Sequence, residues 1–175
     1  MRTFSFTLML FGMFVLEGTV LKWIIPAVWQ EQVIVATQFV LVGILFVGIF
    51  WSRHRAFLYG LSFGLLHDIV YYGATMIGTY SFAMGLIGYA AGWLSMPRKP
   101  NILSSMTVVT AGCFLFEFIV YGLYRLFRVT AEPFEYVLMH QMLPSVLINL
   151  LFALLVYVPL RKWLEETAVL HAKES

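Results

Sequence analysis

The chain carries six long apolar runs joined by short polar segments, and this pattern restricts the folds that are open to it. A helix of roughly 17–25 residues crosses about 30 Å of hydrocarbon, and each run reaches that length. The runs are Phe4–Ile25, Val33–Trp51, Ala56–Tyr72, Thr75–Ser95, Ile102–Phe127 and Tyr136–Leu160. Charged residues make up 11% of the chain, against about 25% in a soluble domain. We therefore expect an all-α integral membrane protein in which residues 1–175 form a single domain of six transmembrane helices.

The basic residues predict the orientation of these helices. Short cytoplasmic loops of membrane proteins are enriched in lysine and arginine. If the six runs alternate in direction, one side of the membrane receives Arg2, Arg53, Arg55, Arg98, Lys99, Arg161, Lys162 and Lys173, and the other side receives Lys22, Arg125 and Arg128. Both termini fall on the more basic side, so we expect the N-terminus and the C-terminus to be cytoplasmic.

Small residues and one aspartate mark the third and fourth runs. Gly60, Gly64 and Asp68 are spaced four apart and therefore share one helical face. The fourth run has a seven-residue spacing at Gly78, Gly85 and Gly92. A carboxylate at membrane depth is costly, so Asp68 should face protein rather than lipid. Two small-residue faces permit close backbone approach, which predicts that these runs pack as a tight antiparallel hairpin.

Further polar residues lie within the apolar runs, toward the outer half of the predicted bundle. With Asp68 included, the set is Glu17, Asp68, Glu117, His140, Gln141, Ser145 and Asn149. Gln141, Ser145 and Asn149 are spaced four apart and share one face of the sixth run. Two interpretations stay open. Either the set lines a polar cavity for a ligand or a partner's helix, or its members hydrogen-bond across helices and hold the bundle in register.

The sequence does not supply a catalytic site. His67 and Asp68 are adjacent, so on a helix they point about 100° apart and cannot readily share a metal ion. Ser145 and His140 are five apart on one helix and do not face each other, which disfavours a serine nucleophile. Asp68 is the single aspartate, which excludes a paired-aspartate protease, and no phosphate-binding or dinucleotide-binding glycine pattern is present. We expect no enzyme activity, no metal and no cofactor.

The segment from Gly60 to Leu94 resembles the rod shape-determining protein MreD family. Members of that family carry a glycine-spaced third span with an aspartate, a short turn, and a glycine-spaced fourth span that ends in Gly-Tyr-x-x-Gly. The corresponding positions here are Gly60, Gly64, Asp68, Gly73, Gly78, Gly85, Gly88, Tyr89 and Gly92. The resemblance implies that Asp68 and these glycines form a helix-packing or partner interface. His67 departs from the pattern, since many members carry a glutamine there.

The resemblance implies a bacterial inner-membrane scaffold of the cell elongation machinery, which holds rod shape by linking a cytoplasmic filament to peptidoglycan synthesis. The implied partner is MreC, and through it MreB, RodA and a class B penicillin-binding protein, within the lipid bilayer and without nucleic acid. The family fold is also similar to the substrate-binding subunits of energy-coupling factor transporters. A vitamin-type transporter subunit is therefore the alternative function. The alanines that such subunits usually carry in the first span are absent from Phe4–Ile25.

Overall fold

The computed structural model describes residues 2–24, 36–71, 76–95 and 100–174, and these residues are mostly helical. The elements are α1 (Arg2–Ile24), α2 (Phe39–Phe50), α3 (Arg53–Val70), α4 (Thr79–Ser95), α5 (Ile102–Leu126), α6 (Phe134–Val137), the π-helical segment π1 (Leu138–Met142) and α7 (Leu143–Glu174). The last three follow one another without a break and form one continuous helix. No strand occurs in the described ranges, which confirms the all-α fold.

The helix bounds differ from the apolar runs at several places. In the second run the helix begins only at Phe39, after a non-helical stretch at 36–38, and residues 33–35 lie outside the described part. The fourth helix begins at Thr79, after a turn at 76–78. The last helix begins directly after Pro133 and continues through Pro159 to Glu174, so the polar tail is helical as well. Apolar runs indicate contact with lipid or core, whereas backbone hydrogen bonding sets the helix ends.

Two of the described helices are long and apolar enough to cross a membrane, namely Ile102–Leu126 and Phe134–Glu166. The apolar helices Phe4–Thr19 and Phe39–Phe50 are shorter. Because α2 has 12 residues, it is about 18 Å long at 1.5 Å per residue. That length is well below the thickness of a hydrocarbon core, which is about 30 Å. α2 therefore differs from a regular membrane-spanning helix.

α2 forms the centre of the bundle. Every residue from Phe39 to Ile49 is buried, and α2 contacts α1, α3, α4, α5 and α7. Its sequence is apolar on all sides, which is typical of a helix that is surrounded by protein. The outer helices carry large exposed apolar side chains, among them Leu8, Leu103 and Leu155. The fold thus has an enclosed central helix and an apolar outer surface.

Glycines let α3 and α4 approach each other closely. A Cβ atom at Gly60 would lie 2.6 Å from the nearest backbone atom of α4, and one at Gly64 would lie 2.5 Å from it. From the other side, a Cβ atom at Gly88 would lie 2.9 Å from a backbone oxygen of α3. No side chain fits at these three positions while the two helices keep this separation, as expected where small residues bring helices together.

The remaining glycines of the predicted interface have different surroundings. A Cβ atom at Gly92 would lie 2.6 Å from Arg53 Cβ, whereas Gly85 faces the side chain of Leu61 at 3.0 Å. Gly78 precedes α4 with a φ of 101°, and a Cβ atom there would meet open space, with no neighbour within 4 Å. Its Cα therefore does not pack against a neighbouring helix as Gly60 and Gly64 do, and its positive φ is a backbone conformation that glycine adopts readily. The predicted turn residue at position 73 lies outside the described residues.

One end of the bundle is basic and aromatic. The ring centroids of Phe6 and Trp163 are 5.7 Å apart, so the start of α1 and the last part of α7 lie at the same end. Phe6 also lies 6.1 Å from the ring of Trp51, which brings the turn between α2 and α3 to that end. Three guanidinium groups there lie over aromatic rings: Arg53 over Tyr89 at 5.5 Å, Arg55 over Trp51 at 4.0 Å and Arg161 over Phe50 at 5.8 Å. We call this region, defined by these three arginines, the basic end.

Candidate functional site

Polar side chains of α7 bind the backbone that leads into α2. Residues 36–38 are not helical, and the N–H groups at the start of a helix have no partner within that helix. The Ala36 N–H donates to Ser145 Oγ (2.9 Å), and the Gln38 N–H donates to Asn149 Oδ1 (2.8 Å). Asn149 Nδ2 donates in turn to the Ala36 carbonyl oxygen (3.3 Å). Two buried side chains thus supply the hydrogen bonds that this non-helical backbone would otherwise lack.

Glu117 of α5 extends this network to two other elements. Gln38 Nε2 donates to Glu117 Oε1 (2.5 Å), and Gln141 Nε2 donates to Glu117 Oε2 (3.2 Å). Gln141 lies in π1, and π-helical segments are rare interruptions of the α-helical register. The Glu117 side chain is buried, and its two amide donors offset part of the cost of removing a carboxylate from water.

Glu17 of α1 connects α2 with α3. Its Oε2 accepts from the Val40 N–H (3.3 Å), and its Oε1 lies 3.1 Å from His67 Nε2. His67 Nδ1 lies 2.8 Å from the Phe63 carbonyl oxygen, which can only accept, so Nδ1 is the donor. The contact between Nε2 and Oε1 then needs one further hydrogen, carried either by the imidazole ring or by the carboxyl group. Glu17 and His67 are both buried, and their contact fixes α1 against α3.

Asp68 of α3 caps the start of α4. Its Oδ2 accepts from the N–H groups of Gly78 (2.9 Å) and Ser81 (3.2 Å), and its Oδ1 accepts from the Tyr80 N–H (3.1 Å). These donors belong to the helix terminus, where backbone N–H groups lack intrahelical partners and the helix dipole favours a negative charge. The capping group comes from the neighbouring helix, so the same bonds that complete α4 also hold it against α3.

The structure divides the predicted polar set among several places. The entry to α2 is surrounded by Glu117, Gln141, Ser145 and Asn149. Glu17 reaches the next residues of α2, and Asp68 is bound to α4 instead. His140 is exposed, with its ring stacked on Tyr136 at a centroid distance of 4.4 Å. His67 and Asp68 diverge as their spacing predicted, since the former contacts α1 and the latter α4.

Two residues of this arrangement were not identified from the sequence. Gln38 lies in an otherwise apolar run, where a side chain with both a donor and an acceptor is a detectable sign of buried hydrogen bonding. For His67, the sequence disfavours a role as a metal ligand and indicates no other role. Its bond to Glu17 depends on how α1 packs against α3, which spacing within one helix does not specify.

The arrangement is chemically suited to joining helices. The carboxylates of Glu17, Asp68 and Glu117 each accept hydrogen bonds from other elements. Ser145 Oγ accepts from a backbone N–H rather than facing a histidine. Within the described ranges, no three His, Cys, Asp or Glu side chains gather where they would hold a metal ion.

Comparison with known proteins gives a family match over nearly the whole chain. A family model described as rod shape-determining protein MreD matches residues 2–167. A relative described as rod shape-determining protein MreD, from Bacillus subtilis (strain 168), is 26% identical over 136 residues, which cover 78% of this chain and 77% of the relative. No solved structure matches the chain.

Proposed function

Because the chain belongs to the MreD family of rod shape-determining proteins, we propose that it is a non-enzymatic scaffold of the bacterial cell elongation machinery. The observation that carries the proposal is the family match across residues 2–167. The finer part of the proposal is that the protein binds MreC, and through it reaches MreB, RodA and a class B penicillin-binding protein. In this role it organises peptidoglycan synthesis and carries out no reaction of its own.

We propose that the protein is a multi-pass component of the cytoplasmic membrane, with six crossings and both termini in the cytoplasm. Two long apolar helices and the exposed apolar outer surface support a membrane location. The contact between Phe6 and Trp163 at the basic end supports an even number of crossings. The non-helical backbone at 36–38 is compatible with membrane depth, because such backbone is tolerated there when it is buried in protein and hydrogen-bonded.

We propose that the polar set braces α2 and α4 and does not form a ligand pocket. In support, the side-chain oxygens of Asp68, Ser145 and Asn149 are bonded to backbone N–H groups of this chain. Gly60, Gly64 and Gly88 likewise pack between α3 and α4, where a Cβ atom would meet the opposite backbone. On this proposal, partner proteins bind outward-facing surfaces, and the small-residue hairpin supports those surfaces from inside.

The first experiment is an affinity purification of the tagged protein from its native membrane in mild detergent. Mass spectrometry would identify both co-purified proteins and retained small molecules. We expect co-purification of MreC and wall-synthesis enzymes, with no retained vitamin-like compound. An ATPase-coupled membrane partner together with a bound small molecule would instead establish the transporter alternative and overturn the scaffold proposal.

A second experiment tests the role in cell shape directly. Cells depleted of the protein should lose rod shape and regain it when the wild-type chain is supplied. A variant with Asp68 replaced by leucine should restore shape less well than a variant of the adjacent exposed residue, Ile69→Ala, at matched membrane abundance. Retention of normal cell width after complete depletion would contradict the proposed function.

A further inference from the structure

A cleft at the basic end takes no part in the network described above. It is lined by Arg55, Leu58, Tyr59 and Ser62 and has a volume of about 270 Å³. Leu58 and Tyr59 lie three and four residues after Arg55, and Ser62 lies four and three residues after them, so all four occupy one face of α3. The Tyr59 hydroxyl is 3.1 Å from Thr7 Oγ1 of α1, and this hydrogen bond fixes one wall of the cleft.

Arg55 places a positive charge at this cleft, and no carboxylate of the described residues forms an ion pair with it. Its guanidinium carbon lies 4.0 Å from the centre of the Trp51 ring, so the group is held by stacking. Its Nη1 atom is buried and has no hydrogen-bond partner in the described part of the chain. The ion pairs found in that part join Glu17 to His67 and Glu165 to Arg161. Arg55 also lines the cleft, and no carboxylate of the described residues is bonded to it, so this position favours an anion that accepts from the part of the guanidinium that faces the cleft.

The surroundings of Arg55 favour an anion that carries an apolar chain. Leu58 is 60% exposed and offers apolar surface beside the guanidinium group. Tryptophans such as Trp51 concentrate where the membrane meets water, and the basic end faces the cytoplasm in the proposed topology. The phosphate of a membrane lipid lies at that level, with its acyl chains directed toward the bilayer centre.

We propose that this cleft binds an anionic phospholipid of the cytoplasmic leaflet. The lipid phosphate accepts hydrogen bonds from the Arg55 guanidinium, whose planar fork matches two phosphate oxygens. One acyl chain lies along Leu58 and Tyr59. The inference rests on the proposed membrane topology and is independent of the role in cell shape, so the two can fail separately.

The test uses the full 175-residue chain purified in a neutral detergent. The probe is phosphatidylglycerol, and binding is measured by native mass spectrometry and by lipid-dependent thermal stabilisation. Phosphatidylcholine with the same acyl chains and inorganic phosphate serve as comparisons. We expect retention of phosphatidylglycerol, weaker retention of phosphatidylcholine and no displacement by inorganic phosphate. Equal binding of both lipids, or full displacement by inorganic phosphate, would overturn the proposal.

Two variants locate the site. Arg55→Gln should weaken phosphatidylglycerol binding at least about fivefold, since one basic group near a membrane surface contributes roughly that much. Leu58→Trp, which fills the cleft without changing its charge, should also weaken binding and keeps the test usable if the first variant does not fold.

The matched control is Arg161→Gln. Arg161 lies at the same basic end, but its Nε already donates to Glu165 Oε1 at 2.9 Å. This variant should keep wild-type lipid binding within about twofold, because its cation is not part of the cleft. Equal losses for Arg55→Gln and Arg161→Gln would show diffuse attraction to the basic end and refute a specific site.

Discussion

Replacing Asp68 with leucine should destabilise the bundle, because three backbone donors at the start of α4 would lose their acceptor. The side chain is 1% exposed, so water does not replace the lost bonds. We use about 1–1.5 kcal/mol per bond, which is below the usual value for bonds to charged groups because the substitution also removes the cost of burying a carboxylate. The three bonds then give an expected loss of about 3–4.5 kcal/mol. Asp68→Asn should fall between the wild type and Asp68→Leu, since its amide oxygen still accepts while its amide nitrogen does not.

The assay is thermal unfolding of the purified protein in mild detergent. For a chain of this size, 1 kcal/mol corresponds to about 2–4 °C, so Asp68→Leu should lower Tm by about 6–18 °C. The control is Ile69→Ala, one position along the same helix, where the side chain is 58% exposed. A shift for Asp68→Leu no larger than that for Ile69→Ala would refute the capping argument.

Three further predictions use the same assay. Gly64→Ala should lower Tm, because the added Cβ would lie 2.5 Å from the α4 backbone. The control Gly122→Ala, where a Cβ would have no neighbour within 4 Å, should be neutral or slightly stabilising. Equal effects of the two substitutions would contradict close packing of α3 on α4. His67→Gln should retain most of the stability, because the new amide can donate to Glu17, whereas His67→Leu should lower the free energy of unfolding by about 1–3 kcal/mol. Equal Tm values for the two variants would show that the contact with Glu17 does not stabilise the protein. Glu117→Leu leaves two amide donors unpaired, so it should lower the free energy of unfolding by about 1–3 kcal/mol more than Glu117→Gln does. A larger loss for Glu117→Gln would contradict the proposed network.

The close packing of the third and fourth runs was predictable in part, because it depends on local spacing. Gly60 and Gly64 lie four apart on one face, and both contact α4. Periodicity along one helix determines which residues share a face, so it pointed to the hairpin. It does not determine what the opposite helix presents at each level, and the surroundings of Gly85 could not be deduced from spacing alone.

The late start of α2 was not predictable from apolar runs. Residues 36–38 include the apolar Ala36 but are not helical, and side chains from α7 provide the partners that a helical backbone would find within itself. One of these partners, Asn149, lies 111 residues after Gln38 in the sequence. Local hydropathy contains no information on contacts at that separation, although Gln38 itself was a usable sign.

The distant partners at the entry of α2 also imply an order of assembly. The backbone at Ala36 finds its hydrogen bonds on α7, 109 and 113 residues further along the chain, so those bonds cannot form until α7 has been synthesised. Until then, the backbone groups of Ala36 lack the partners that they have in the folded bundle, and they need water or another polar group to satisfy them. The backbone that leads into α2 is therefore among the last parts of the described bundle to gain its hydrogen bonds, and α7 completes it. A chain that ends before Leu143 should therefore leave the entry to α2 without these hydrogen bonds.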